Sequence, residues 1–147
     1  MFRRNWPTSI DAVQWNLVES EPNVLRGVHV HRVHEDYLMV VSGTMVVGLH
    51  DLRQLSPTTG VSAVVTLKGT ERAALRIPTG VAHGFYFPEP SVHVYSVSAY
   101  WDRADELGCR WDDPSLNLRW PMASRPLLSD RDRVLPSLEA LLEEVDF

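Results

Sequence analysis

The chain has 147 residues, of which 44% are hydrophobic and 22% are charged, and it carries a net charge of −5. This length suits one domain, so we expect a single domain over residues 1–147. The composition excludes disordered and collagen-like proteins. Because no apolar run approaches the roughly 20 residues that span a bilayer, and because acidic residues outnumber basic ones by 19 to 14, we expect neither a membrane nor a nucleic-acid partner.

The start of the chain and its cysteine content indicate the compartment. Residues 1–11 contain two arginines but no apolar stretch behind them, which predicts that no secretory signal is present. Cys109 stands alone and cannot form an internal disulfide, as is usual in a reducing environment. We therefore expect a cytoplasmic protein.

Short β-rich runs separated by turn signals fill most of the first two thirds of the chain. Glycine and proline recur between the runs too often for a helix of 12 residues, and this spacing predicts an antiparallel sandwich or barrel. We expect strands within about residues 13–100. The runs are 24–30, 37–41, 44–52, 61–67, 73–77, 85–87 and 91–98.

Beyond the predicted strands, the sequence changes character twice. Residues 101–128 are rich in aspartate, proline and tryptophan and predict an ordered loop. Residues 136–147 predict a C-terminal helix, because Leu138, Leu141 and Val145 share one helical face.

The histidines form two suggestive groups. His29 and His31 are two apart in a predicted strand, so both side chains face the same side of the sheet. Glu35 follows them, and His83 follows the turn Pro78-Thr79-Gly80. The first half-motif is His29-x-His31 with the following Glu35, and the second is Pro78-x-Gly80-x-x-His83. Together they resemble the two half-motifs of the cupin superfamily, which implies an all-β jelly-roll barrel.

Three interpretations of this group remain open. The residues form a metal-free polar pocket, they satisfy one another at the edge of the core, or they bind a divalent transition metal. In the metal-dependent alternative the ligands are His29, His31, Glu35 and His83. The other three histidines, His34, His50 and His93, are predicted to lie at the surface or on strand faces, without a function.

A longer series of segments carries a sharper resemblance over about residues 13–136. In order they are Val13-Gln14-x-Asn16, Arg26-Gly27-Val28-His29, Asp51-Leu52-Arg53, Ser56-Pro57-Thr58, Ala82-His83-Gly84-Phe85, Val94-Tyr95, Trp111-Asp112-Asp113-Pro114 and Leu128-Ser129-x-Arg131-Asp132. Together they are similar to the dTDP-4-dehydrorhamnose 3,5-epimerase family, cupin-fold enzymes that act on sugar nucleotides.

The resemblance implies a site and a substrate. A dTDP-linked 4-keto-6-deoxyhexose is epimerised at C3, C5 or both, with His29 as base, Asp132 as the carboxylate that orients it, and Tyr95 as acid. It further implies a homodimer that needs no cofactor and no metal. Six residues match positions that contact the sugar or the nucleotide: Gln14, Asn16, Arg26, His83, Glu106 and Arg131.

Some features leave alternatives. Asp36 stands where the family has a lysine that stabilises charge on the C4 oxygen, and His31 stands where it usually has glutamine. The pair His29-x-His31 also resembles sugar-nucleotide 3,4-ketoisomerases, and a binding protein without catalysis is a further alternative. On spacing alone, Asp132 also fits the N-cap of a helix before the C-terminal tail, and a strand tyrosine such as Tyr95 is usually a packing residue.

Overall fold

The computed structural model describes residues 10–147; the expectation of no secretory signal lies mostly on residues outside this range. Each element is bounded by the glycine, proline and polar turns seen in the sequence. The strands are β1 (Gln14–Ser20), β2 (Val24–Val30), β3 (Asp36–Ser42), β4 (Thr44–Asp51), β5 (Ser62–Lys68), β6 (Ala74–Ile77), β7 (Val81–Phe87), β8 (Ser91–Val97) and β9 (Leu107–Gly108). One α-helix, α1 (Leu138–Glu144), and three short 3-10 helices, Arg103–Asp105, Pro114–Leu116 and Asp132–Val134, complete the described chain.

The strands form two antiparallel sheets. One has the order β1-β8-β3-β6 and the other β5-β4-β7-β2-β9. Side chains from both sheets, among them Leu38 of β3 and Met45 and Phe87 of the five-stranded sheet, form a buried core between them. The predicted all-β architecture is confirmed.

The five-stranded sheet is covered on its outer face as well. Val28 and Val30 of β2 pack there with Leu138 and Leu141 of α1. Because alternate residues of a strand face opposite sides, covering this outer face with Val28 and Val30 leaves His29 to face the inside of the molecule. The C-terminal helix therefore helps to fix the orientation of β2.

The predicted elements differ from the observed ones mainly at their ends. β7 begins at Val81, four residues earlier than predicted, directly after the turn that ends at Gly80. The predicted helix 136–147 is too long, because the Ser137 side chain caps its start and the helical residues end at Glu144. The predicted loop also contains β9 and two 3-10 helices.

One segment of the resemblance, from Asp51 to Thr58, builds a turn rather than a site. After β4, the Asp51 carboxylate accepts hydrogen bonds from the side chains of Arg53, Ser56 and Thr58. The hydrogen bond from Arg53 is the largest influence on Asp51 and holds its pKa far below the ordinary value. This network shapes the chain between β4 and β5.

Candidate active site

A polar cavity of about 250 Å³ lies between the two sheets. Its volume is close to the lower end, about 300 Å³, of the usual range for small-molecule sites. A larger depression of about 740 Å³ lies along residues 111–125, but none of the candidate catalytic residues line it. The cavity between the sheets brings together most of the predicted site residues: Arg26, His29, His83, Tyr95, Glu106, Arg131 and Asp132.

An irregularity in β2 places two of these side chains. The pairing of β2 with β7 shifts register between Arg26 and His29. Between them Gly27 has a φ of 101°, and a Cβ at this position would lie 2.8 Å from the backbone oxygen of His83. Because of the shift, Arg26 and His29 both line the cavity although they are three residues apart.

His29 is held by a buried carboxylate from a distant loop. Its Nε2 lies 2.7 Å from Oδ1 of Asp132, which is 5% exposed. Burial raises the pKa of Asp132, but the hydrogen bond and the charge of His29 outweigh it, so the pKa lies below the ordinary value. The carboxylate accepts the Nε2 hydrogen, which leaves Nδ1 of His29 with the lone pair that a base needs.

This geometry answers the question of the helix cap. Asp132 begins the short helix Asp132–Val134, and its backbone N–H donates to the Ser129 hydroxyl. The N-cap of α1 is Ser137, whose hydroxyl accepts from the backbone of Ala140. The N-cap interpretation of Asp132 is therefore wrong for α1.

Tyr95 reaches the same cavity from the opposite wall. It lies on β8 of the four-stranded sheet, whereas His29 lies on β2 of the five-stranded sheet. Burial, followed by the nearby carboxylates of Asp36 and Glu106, raises the pKa of the Tyr95 phenol. The phenol is therefore protonated at neutral pH and able to donate a proton.

Charged residues line the part of the cavity near β9. Arg131 donates to the carboxylate of Glu106 at 2.8 Å and to its backbone oxygen at 3.0 Å. Burial raises the pKa of Glu106, but the hydrogen bond from Arg131 holds it below the ordinary value. Arg26 donates through Nε to the Ser20 hydroxyl at 3.3 Å. These two arginines supply the positive charge of the cavity wall.

Gln14 and Asn16 are the predicted site residues that do not line the cavity. They lie on the inward face of β1 and are hydrogen-bonded to each other at 3.1 Å. The side-chain oxygen of Gln14 also accepts from the backbone N–H of Trp101, and Trp101 does line the cavity. Gln14 and Asn16 therefore do not contact the cavity directly, and Gln14 is linked to it through Trp101.

The metal-ligand set predicted from the half-motifs is not brought together. Glu35 lies outside the cavity and pairs with Arg76 through two contacts of 2.8 and 2.9 Å. The reason is the alternation of the strand, because its neighbour Asp36 begins β3 and faces inward. His29, whose Nε2 bonds to Asp132, lines the cavity together with His31 and His83. Glu35 is therefore the predicted ligand that the structure places elsewhere.

Sequence reasoning missed four contributors. His34, predicted at the surface or on a strand face, is 2% exposed and lines the cavity, as does His93. Asp36 was noted only as a departure from the family, yet it lies in the cavity wall. Asp105 accepts hydrogen bonds from the backbone of Arg32 and Val33. No sequence signal links Asp105 to this turn.

Two facing antiparallel sheets around an internal polar cavity define a cupin-type barrel, and the comparisons with known proteins name the group within it. The family model "dTDP-4-dehydrorhamnose 3,5-epimerase" matches residues 2–140. The chain belongs to this family of sugar-nucleotide isomerases.

Individual relatives agree with the family. The dTDP-4-dehydrorhamnose 3,5-epimerase of Neisseria gonorrhoeae is 36% identical over 123 residues, which are 82% of this chain and 38% of that protein. The chain thus spans about two fifths of the length of this relative. The solved RmlC epimerase of Mycobacterium tuberculosis superposes with a TM-score of 0.87 at 33% identity, covering 92% of this chain and 71% of the other.

A third relative is described as an epimerase of one position rather than two. ChmJ, a 3′-monoepimerase from Streptomyces bikiniensis, was solved in complex with dTDP-quinovose. It superposes with a TM-score of 0.82 at 30% identity, covering 90% of this chain and 69% of that one.

Proposed function

We propose that this protein is an isomerase that epimerises C3, C5 or both of a dTDP-linked 4-keto-6-deoxyhexose by proton abstraction and reprotonation. One observation carries the proposal: His29, oriented by Asp132, and Tyr95 line one cavity from opposite sheets. The relatives described as epimerases, one of them bound to a dTDP-sugar, support the substrate class.

The chemistry requires such an arrangement. A carbonyl at C4 acidifies the hydrogens at C3 and C5, and inversion needs a base on one face of the ring and an acid on the other. Nδ1 of His29 takes the proton, and the bonding pair becomes an enolate on the C4 oxygen. The carboxylate of Asp132 stabilises the resulting imidazolium. Tyr95 then donates a proton to the same carbon from the opposite face.

The remaining site residues suit the nucleotide end. Arg26 and Arg131 offer planar guanidinium groups that pair with diphosphate oxygens in two places. Glu106 holds Arg131 in position at 2.8 Å. We assign His83 to the sugar side of the cavity, and we assign Gln14 and Asn16 to the nucleotide side.

Deuterium exchange tests the proposal directly. The protein is incubated with the 4-keto substrate in D2O, and the product is examined by NMR for deuterium at C3 and C5. We expect incorporation by the native protein and none above background with His29→Ala. His50→Gln is the matched control, because His50 is a buried histidine that contacts Ser62 outside the cavity. Incorporation equal in the native protein and His29→Ala contradicts proton abstraction by His29.

The same experiment separates two neighbouring functions. His31 is 5% exposed and lines the cavity beside His29, which keeps a 3,4-ketoisomerase as a second candidate. That reaction moves the carbonyl from C4 to C3, so the carbon chemical shifts of the product distinguish it from an epimer. A protein that binds dTDP tightly in calorimetry without exchange or turnover is a binding module instead.

We also propose a cytoplasmic homodimer whose partners are the sugar nucleotide and a second copy. Strand β1 lies at the edge of its sheet, and its outer face exposes Trp15 and Leu17, which are 48% and 65% accessible. Val13, directly before the strand, is 44% accessible. Pairing or covering this edge protects it from unspecific association. A gel-filtration mass equal to one 16.7 kDa chain contradicts the dimer.

The cytoplasmic location is supported by the single cysteine, Cys109, which is buried and free. No described helix is suited by length and apolarity to cross a membrane.

A further inference from the structure

We propose that His31, His34, Asp36 and His83 form a binding site for one divalent transition-metal ion in the wall of this cavity. The four residues come from the end of β2, the start of β3 and β7. All four are buried, with exposures between 2% and 5%. This set differs from the half-motif set, since His34 and Asp36 replace His29 and Glu35. It also departs from the metal-free site that the family resemblance implies.

Each histidine of this cluster has one ring nitrogen committed as a donor. Nδ1 of His31 lies 3.1 Å from the backbone oxygen of Asp105, and Nδ1 of His83 lies 3.0 Å from that of Val81. Nδ1 of His34 lies 2.9 Å from the carboxylate of Asp105. Because a carbonyl oxygen only accepts, Nδ1 of His31 and Nδ1 of His83 carry the hydrogen, and the lone pair of each of these rings is on Nε2. The nearby carboxylate of Asp105 favours the same tautomer for His34. Metal-binding histidines show this outer support.

The three Nε2 atoms surround one unpartnered carboxylate oxygen. Oδ2 of Asp36 lies 3.8 Å from Nε2 of His31, 4.0 Å from that of His34 and 3.7 Å from that of His83. It is buried and has no hydrogen-bond partner among residues 10–147. These distances are too long for direct hydrogen bonds. One water donates only two hydrogens, whereas a cation satisfies all four electron pairs at once.

The spacing of these atoms suits an ion. Two atoms that each lie about 2.1 Å from the same metal are at most about 4.2 Å apart. All three distances from Asp36 Oδ2 fall below this limit. The ligand atoms of His31, His34 and Asp36 lie within 4.8 Å of one another, and Nε2 of His83 joins them through its distance of 3.7 Å to Asp36. Ligand atoms of a tetrahedral site are about 3.4 Å apart, so the side chains draw closer together when the ion binds.

The donor chemistry selects the class of metal. Three imidazoles and one carboxylate favour zinc, iron, nickel or copper, while magnesium and calcium prefer oxygen ligands. His29 is left out of the set because its Nε2 bonds to Asp132 and its remaining Nδ1 is the base of the proposed epimerisation.

The position of the site also suggests a role for the ion, and this part depends on the proposed function. The cluster lines the same cavity as His29 and Tyr95. When His29 removes a proton next to a carbonyl, negative charge develops on the carbonyl oxygen, and a nearby Lewis acid stabilises it. An ion held by this cluster would polarise the carbonyl of the bound sugar, while His29 and Tyr95 would still carry out the proton transfers.

Direct binding measurements test the site without substrate. The full chain is treated with a chelator, dialysed and titrated with Co²⁺, whose visible absorption reports nitrogen and oxygen ligation, and with Zn²⁺ in a calorimeter. We expect one equivalent to bind, and Asp36→Asn and His34→Gln to weaken binding at least 100-fold. The matched control His50→Gln retains binding. Circular dichroism of each variant confirms folding, and either variant alone suffices if the other does not fold.

The outcomes are distinct. The site is contradicted if the native chain binds no metal, or if both variants bind as the native chain does. The catalytic role is contradicted if metal binds but chelation leaves deuterium exchange unchanged. Metal binding without any deuterium exchange by the native protein supports the site and contradicts the proposed epimerase instead.

Discussion

Two buried carboxylates face histidines in the same cavity, and they do so in different ways. Asp132 lies 2.7 Å from one imidazole nitrogen, whereas Oδ2 of Asp36 lies 3.7 to 4.0 Å from three of them. His29 presents an N–H to Asp132, but the rings around Asp36 donate their N–H groups elsewhere. The difference teaches that the hydrogen-bond partner of the other ring nitrogen decides whether a histidine–aspartate contact serves proton transfer or ligation.

The two carboxylates also respond oppositely to burial. Burial raises the pKa of Asp36 to about 6, because the charges of His31 and His34 compensate only in part. The pKa of Asp132 is held below its ordinary value, although burial raises it, because the hydrogen bond and charge of His29 prevail. The surroundings of Asp132 stabilise its anionic form, whereas those of Asp36 do not.

The largest effect is expected for Asp132→Asn. The amide offers an N–H to Nε2 of His29 and so favours the tautomer whose Nδ1 is protonated and no longer a base. In a comparable serine-protease pair this change costs about 10⁴-fold in kcat, so we expect a loss of about 10³- to 10⁴-fold here. Initial rates of deuterium exchange measure it.

A matched variant is Asp130→Asn, two residues away. Asp130 is exposed and pairs with Arg133 rather than with the cavity. We expect it to keep the native rate. An Asp132→Asn rate within tenfold of native removes the orienting role from Asp132.

The next effect concerns the acid from the opposite wall. Removal of a general acid typically costs about 10²- to 10⁴-fold, and we expect Tyr95→Phe to lower the rate of epimerisation by this amount. His29 still removes the proton and returns a deuteron from solvent to the same face. NMR should therefore show exchange that exceeds inversion. A parallel loss of exchange and inversion contradicts the assignment of Tyr95 as the second proton donor.

The sequence predicted the sheets better than it predicted the cavity. Turn residues mark the strand ends locally, which is why residues 24–30 coincide with β2. Strand alternation alone does not reveal which of Glu35 and Asp36 faces inward, because that depends on where β3 begins. Asp105 meets His34 across 71 residues of chain, and such contacts depend on the folded loop rather than on local pattern.

A smaller effect is expected on the free energy of unfolding. Replacing Asp36 should raise it, whereas replacing Asp132 should lower it. Asp36 has a folded pKa of about 6 against an ordinary value of 3.8, so the native state binds more protons between these pH values. The free energy of unfolding therefore falls as pH rises from about 4 to 6. In metal-free protein at pH 7.5, Asp36→Asn removes the unsatisfied anion, and we expect a gain of about 1–3 kcal/mol. Urea unfolding measures it.

Asp132→Asn supplies the contrast. Its folded pKa is lowered, so its stabilisation is present above the ordinary pKa and is lost as pH falls through the folded value. We expect this variant to be less stable than the native protein at pH 7.5. Equal signs for the two variants contradict the distinction between the carboxylates.

The smallest effect is expected for His93, which is neither part of the His29–Asp132 pair nor one of the proposed metal ligands. Its ring is 2% exposed between Phe87 and Tyr95, and burial, followed by the charge of Arg26, lowers its pKa to about 4. The unfolded chain therefore binds one proton more than the native state between pH 4 and 6.5. Native stability gains from this group as pH rises and loses it as pH falls through that window. In metal-free protein, His93→Gln should reduce the slope of unfolding free energy against pH by about one proton, measured by urea unfolding at intervals across the window. An unchanged slope means that His93 is protonated in the folded protein, and the cavity wall is then more polar than its burial implies.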